Sequence, residues 1–130
     1  MRLIGHGIDI VEVSRIAEMA GEHAERFLER IYTPAERAYC DEGRGGRREE
    51  RLAVRFAAKE AVLKALGTGW RSGIAWTDVE VVLLPSGQPT IRVHGRAAEM
   101  AAGLGITSWN LSLSHTSQYA VASAIGVGEL

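Results

Sequence analysis

Ile8 and Ile10 alternate with Gly7, Asp9 and Val11 along the stretch from Leu3 to Val13, and this period of two predicts a strand with one apolar face. Ser14 follows as an N-cap for a helix through Arg15, Ile16 and Met19 that stops near Gly21. A second short helix opens at the capping box Thr33-Pro34-Ala35-Glu36, where proline takes the first helical position and Glu36 can reach back to the Thr33 amide. From Leu52 to Leu66 eleven of fifteen residues are apolar, and nothing breaks a helix before Gly67. Val79 to Leu84 and Thr90 to Val93 flank Pro85-Ser86-Gly87-Gln88-Pro89, which predicts an antiparallel hairpin. A helix through Arg96 to Ala102 comes next, and Trp109 to Leu113 and Tyr119 to Val127 then form a closing hairpin around Ser114-His115-Thr116-Ser117-Gln118. The expected class is α+β, a mostly antiparallel sheet packed with helices, in one domain over residues 1–130 without internal repeats.

The helix from Leu52 to Leu66 carries four charges, Arg55, Lys59, Glu60 and Lys64, in otherwise apolar surroundings. A helix without a solvent face belongs in a core or between subunits, and a carboxylate there has to be paired or to ligate a metal. Glu60 and Lys64 lie at i,i+4; as a plain structural pair they would add only about 0.2–0.5 kcal/mol. Gly67-Thr68-Gly69 is either an ordinary helix cap or backbone kept bare for a ligand beside the Lys64 ammonium. Asp9 is a second anomaly, because aspartate is disfavoured inside strands. Its place between two isoleucines implies a rim position that meets water, or a ligand role.

Composition narrows the classes. With 46% hydrophobic and 24% charged residues the chain has the make-up of an ordinary globular domain with a real core. A formal net charge of −1 gives no global attraction to nucleic acid, and no aromatic-rich basic patch is present to stack bases. No apolar run is long enough to span a bilayer, and the N-terminus lacks the character of a signal sequence, so no membrane partner is expected. The single Cys40 forbids an internal disulfide and reads as a spare thiol in a cytoplasmic protein.

Two local features remain. Gly43 to Arg51 holds four arginines and three glycines in nine residues, either a solvated linker or a flexible loop whose guanidinium groups close on a phosphate. His115, flanked by Ser114, Thr116 and Ser117 at a hairpin tip, is either surface decoration or a contact for a polar, phosphate-bearing ligand. His6, His23 and His94 have no metal-ligand spacing around them, and no zinc site can be assembled.

Three separated segments together resemble one family. Gly7-Ile8-Asp9-Ile10-Val11 running into Ser14-Arg15-Ile16, then Arg55-Phe56-Ala57-Ala58-Lys59-Glu60-Ala61 with Gly67-Thr68-Gly69, and finally Leu111-Ser112-Leu113-Ser114-His115-Thr116 with Tyr119-Ala120, are similar in order and spacing to the small, single-domain 4′-phosphopantetheinyl transferases, the holo-acyl-carrier-protein synthases. The resemblance spans nearly the whole chain.

It implies transfer of the 4′-phosphopantetheine arm of coenzyme A to a serine of an acyl carrier protein, with release of adenosine 3′,5′-bisphosphate. Asp9 and Glu60 would then hold Mg²⁺, and Lys64 would meet the pyrophosphate, which makes Glu60 and Lys64 the catalytic pair. The serine proton is left to Glu60, Asp9 or a metal-bound water. Arg44, Arg47 or Arg48 would meet the 3′-phosphate, with Arg55, His115 and Thr116 nearer the nucleotide and Gly67, Thr68 and Gly69 along the coenzyme. Arg15 and Met19 would contact the acidic recognition helix of the carrier. The resemblance further implies a homotrimer with active sites between subunits, an arrangement with which the apolar helix is compatible and in which Lys59 is left as a subunit contact. Val11 stands where the larger, two-lobed transferases carry a second acidic ligand. The carrier itself, from fatty acid, polyketide or peptide synthesis, stays open. A coenzyme-binding module without transfer and a purely structural trimer are the competing readings.

Overall fold

The structure, a computed structural model, describes residues 1–21 and 24–130. Its axis is the helix α4, Arg47–Leu66, which turns a face of small residues, Ala57, Ala61 and Ala65, toward the first strand β1, Arg2–Glu12. The glycines of β1 allow the approach. A Cβ on Gly7 would lie 1.9 Å from the Ala61 carbonyl oxygen, and one on Gly5 would lie 2.1 Å from that of Ala65, so any side chain would lift the strand off the helix. The same packing seam carries Asp9 on the strand and Lys64 on the helix.

Around this seam the elements follow as α1 (Val13–Gly21), α2 (Ala24–Ile31), α3 (Pro34–Asp41), α4, β2 (Val79–Leu83), β3 (Pro89–Val93), α5 (Gly95–Leu104), β4 (Ser108–His115) and β5 (Tyr119–Gly128). β1, β5 and β4 form an antiparallel sheet in that order, with Asp9 opposite Ala122 and Ala122 opposite Leu113, while β2 and β3 pair separately. The α+β class, both hairpins and the capping box are as the sequence predicts. Thr33 accepts from the Glu36 amide, and the Glu36 carboxylate accepts from the Thr33 amide.

Several expectations are corrected. Ser14 is not the N-cap of α1, because the helix already includes Val13, whose amide bonds to the Gln118 carbonyl. α2 was not expected at all, and His23 lies outside the described residues. Arg47, Arg48 and Arg51 belong to the first turns of α4, leaving only Gly43 to Gly46 as loop. α4 does have a solvent side: Glu60 is half-buried and Lys64 exposed, whereas Arg55 and Lys59 are the buried charges. Its apolar residues pack within its own chain and are not left open to a neighbour. The apolar face left uncovered belongs to the sheet, where Ile8 and Ile10 are 58% and 63% exposed.

Lys59 is not a subunit contact either; it is fully buried and paired. Its ammonium donates to Glu36 Oε1 at 2.8 Å, to the Trp76 carbonyl at 3.2 Å and to the Val79 carbonyl. Glu36 is completed by the Val81 amide at 2.8 Å, so this one carboxylate ties α3, α4 and β2 together. Burial pushes the Lys59 pKa down, and Glu36 opposes that shift. Nearby, Thr33 Oγ1 donates to Glu80, which also bonds His94 at 3.0 Å, giving His94 a structural place. Cys40 is free and wholly buried, and burial pushes its thiol up to about 11, which makes it inert.

Candidate active site

At the seam between β1 and α4 the Lys64 ammonium donates to Asp9 Oδ1 at 3.1 Å and to the Ile8 carbonyl at 2.9 Å. The Asp9 side chain is 17% exposed and that of Lys64 54%, so the pair sits at the rim and opens to solvent. Asp9 is tolerated in a strand because it meets this ammonium and water instead of apolar core. Glu60 does not pair with Lys64 among the described residues; its Oε1 accepts from the Trp70 indole at 3.3 Å. The plain i,i+4 ion pair is therefore absent: Lys64 is turned to Asp9, and the Glu60 charge remains available to a ligand.

Asp9 and Glu60 offer only carboxylate oxygens from two adjacent elements, the donor chemistry that suits a hard cation completed by water and phosphate. Among the described residues no cluster of three acidic, histidine or cysteine side chains exists, so nothing here competes as a self-contained metal cage. Beyond Lys64, Gly67 ends α4 with φ 77°, its amide bonding the Leu63 and Lys64 carbonyls. Gly67 and Gly69 are exposed with open space where a Cβ would stand, while the Thr68 hydroxyl bonds the Gly69 carbonyl.

Glu60 also lines a cleft of about 550 Å³ with Arg15, Met19, Arg26, Arg30 and Phe56. Three guanidinium groups from α1 and α2 against one carboxylate make this wall positive and suited to an acidic partner. Arg26 and Arg30 were missed with α2; their i,i+4 spacing on one face was the available signal.

A second cleft, of about 520 Å³, lies where α4 meets β4 and is lined by Arg47, Glu50, Arg51, Arg55, Tyr39 and His115, among others. The Arg51 and Arg55 guanidinium groups lie 4.1 Å and 4.4 Å from the centre of the Tyr39 ring. Arg55 is buried; one of its terminal nitrogens donates to the Arg51 carbonyl at 3.5 Å, and among the described residues its Nε has no hydrogen-bond partner. Among the described residues no carboxylate pairs with this guanidinium, a costly state unless a ligand supplies the anion. His115 Nδ1 bonds Glu50 Oε1 at 2.9 Å at the mouth. Tyr39, Glu50 and Arg51 were not foreseen as lining residues.

The structure thus pairs Asp9 with Lys64 near the Gly67 end of α4, puts Arg15 and Met19 beside Glu60 in one cleft, and brings Arg47, Arg55 and His115 together in another. Arg55 and Glu60, five positions apart on α4, point about 140° away from each other, and their clefts share no lining residue. Of the remaining candidates, Arg48 is engaged by Asp41 at 2.9 Å and Arg44 stands exposed in the loop. The Thr116 hydroxyl closes the hairpin tip by accepting from the Gln118 and Tyr119 amides. No helix among the described residues is long and apolar enough to cross a membrane.

Comparison with known proteins follows the same lines. The family model of the 4′-phosphopantetheinyl transferase superfamily matches residues 5–124. The holo-(acyl-carrier-protein) synthase of Koribacter versatilis is 55% identical over 123 residues, 95% of this chain and 97% of that protein. Among solved structures, the Bacillus anthracis holo-(acyl-carrier-protein) synthase in complex with CoA (3′,5′-ADP) superposes with a TM-score of 0.81 at 34% identity, covering 99% of this chain and 100% of that one. The Helicobacter pylori synthase in complex with coenzyme A gives a TM-score of 0.81 at 30% identity over 94% and 99% of the two chains.

Proposed function

Because the chain belongs to the 4′-phosphopantetheinyl transferase superfamily, we propose that it transfers the 4′-phosphopantetheine arm of coenzyme A to a serine of an apo acyl carrier protein. The observation that carries the reading is the solvent-open Lys64–Asp9 pair, with Glu60 one helical turn before Lys64 on α4 and lining an arginine-rich cleft. In the reaction the serine oxygen bonds the phosphorus nearer the pantetheine. The bridging P–O bond breaks, and the electron pair leaves on adenosine 3′,5′-bisphosphate.

Each part of the surface has a task in this scheme. Arg15, Met19, Arg26 and Arg30 receive the carrier, whose serine then approaches past Glu60. Glu60 is the carboxylate that opens on this docking cleft, which supports it, or a water it holds, as the acceptor of the serine proton. Lys64 supplies a point charge to the pyrophosphate and to the phosphate that departs. Asp9 and Glu60 fit Mg²⁺, which when bound neutralises the pyrophosphate oxygens. The exposed backbone of Gly67 to Gly69 lets the coenzyme pass close to the end of α4.

The arginines of the second cleft suit the 3′-phosphate and the nucleotide, and Arg55 brings an Nε, without a partner among the described residues, that such an anion would satisfy. Since this cleft faces away from the seam, the coenzyme bridges two copies: the uncovered sheet face at Ile8 and Ile10 is the surface through which subunits join, and a homotrimer with shared sites accounts for both observations. A cytoplasmic setting, expected from the single cysteine, belongs to the same proposal.

The test is incubation with coenzyme A, Mg²⁺ and a panel of apo carriers from fatty acid, polyketide and peptide synthesis, followed by intact-mass measurement. At least one carrier is expected to gain the mass of one arm. Binding of coenzyme A without any gain across the panel would leave only a coenzyme-binding module.

A further inference from the structure

Glu60 is held from one side by a group that neither docking nor phosphate binding explains. Trp70 sits in the 3₁₀ turn Gly69–Ser72, just past the Gly67 cap, and its indole N–H reaches Glu60 Oε1 at 3.3 Å. A turn in a glycine-rich connection would ordinarily be loose. This one is seated by aromatic packing: the Trp70 ring stacks on Trp76 at 3.8 Å, and Trp76 stacks on Phe56 of α4 at 4.9 Å. Trp76 is itself fixed, because its carbonyl accepts from the buried ammonium of Lys59. A continuous set of contacts therefore runs from the Lys59 to Glu36 pair, through Trp76 and Trp70, to the Glu60 carboxylate.

We propose that Trp70 is a positioning residue for Glu60: its indole N–H occupies one carboxylate oxygen and fixes the carboxylate's rotation, which leaves the other oxygen to the metal. Among the described residues Oε2 makes no hydrogen bond, consistent with that division. The donor's chemistry matters. An indole is neutral, so it orients the carboxylate without competing for it as a lysine or arginine would, and the full negative charge is kept for a cation. Removing such a supporting hydrogen bond typically weakens metal binding about 10–100-fold.

The inference rests on Mg²⁺ being held by Glu60, and the experiment separates the two ideas. Mg²⁺ is titrated calorimetrically into the protein saturated with coenzyme A, for the wild type and for Trp70→Phe, which keeps a stacking ring and loses the N–H. The variant is expected to bind Mg²⁺ roughly 10-fold more weakly, with coenzyme A affinity in the absence of metal unchanged and transfer restored by excess Mg²⁺. On the unaltered protein, the Trp70 indole N–H resonance is expected to move with the calorimetric midpoint while that of Trp109 stays. Equal Mg²⁺ affinity in the variant, or a Trp70 resonance indifferent to Mg²⁺, overturns the positioning role. A wild type that takes up no Mg²⁺ overturns the metal assignment and this inference with it.

Discussion

Glu60→Gln is expected to leave the fold intact and to slow phosphopantetheine transfer by roughly 10²–10³-fold, the range seen when one preorganised charge or donor is removed from a polar active site. The substitution is nearly isosteric, and the amide oxygen of glutamine still accepts from the Trp70 indole, so the local packing has no reason to change. What is lost is the negative charge. A neutral amide is a poor ligand for Mg²⁺ and a poor proton acceptor, and both losses fall on the reaction step. The check is kcat/KM for carrier modification beside a thermal melt of the same preparation. Loss of activity with an unchanged melting midpoint is the expected result. A lowered midpoint with undiminished transfer would make Glu60 a structural residue.

Lys59→Met, one position away on the same helix, is expected to do the reverse. Removing one partner of a buried ion pair leaves the other charge uncompensated and costs about 3–5 kcal/mol. Here Glu36 would keep the Thr33 and Val81 amides but lose its only counter-charge among the described residues, in surroundings where both side chains are fully buried. Urea unfolding followed by circular dichroism measures the loss. Replacing both partners, Lys59→Met with Glu36→Leu, is expected to recover part of it, because an apolar pair avoids the desolvation that two charges incur. Stability unchanged in the single variant would mean that this network does not hold α3, α4 and β2 together.

The contrast between Lys59 and Glu60 also marks where the sequence stops being legible. Both are charges in an apolar helix, and consecutive residues point about 100° apart, so periodicity alone cannot say which one is buried. The answer depends on Glu36, 23 residues upstream, and on whether β1 can lie against the opposite face. That second condition was written in the chain as Gly5 and Gly7 against Ala61 and Ala65, a pattern that becomes readable only once strand and helix are known to touch. Elements with strong local signals were recovered: the alternating strand around Asp9, the Thr33 capping box and both hairpins. α2 was lost because Ala-Glu-Arg-Phe-Leu-Glu-Arg-Ile is short, half charged and offers no capping side chain. Arg47 to Arg51 was misassigned for a related reason. The glycines before it suggested a loop, although arginine and glutamate are good helix formers and α4 simply starts there.

Site chemistry followed the same division. Asp9, Glu60 and Lys64 stood out because each is anomalous in its own element, and the structure pairs Asp9 with Lys64 one helical turn from Glu60. Trp70 carries no such mark. Its partner is ten residues back along the chain, and only the turn after Gly67 brings the indole to the carboxylate. The separation of Arg55 from Glu60 was equally hidden, since both belong to one contiguous motif and only the helical geometry sends them into different clefts.

That separation leads to the central claim, that Asp9, Glu60 and Lys64 of one copy act on a coenzyme whose nucleotide is held by Arg55 and His115 of another. Two variants, Glu60→Gln and Arg55→Met, each damage a different half of this composite site. Dissociated, mixed in equal amounts and reassociated, they are expected to regain carrier modification that neither shows alone, because mixed assemblies contain some sites with both halves intact. If the mixture stays inactive while wild-type protein taken through the same treatment recovers, the two halves do not meet between copies.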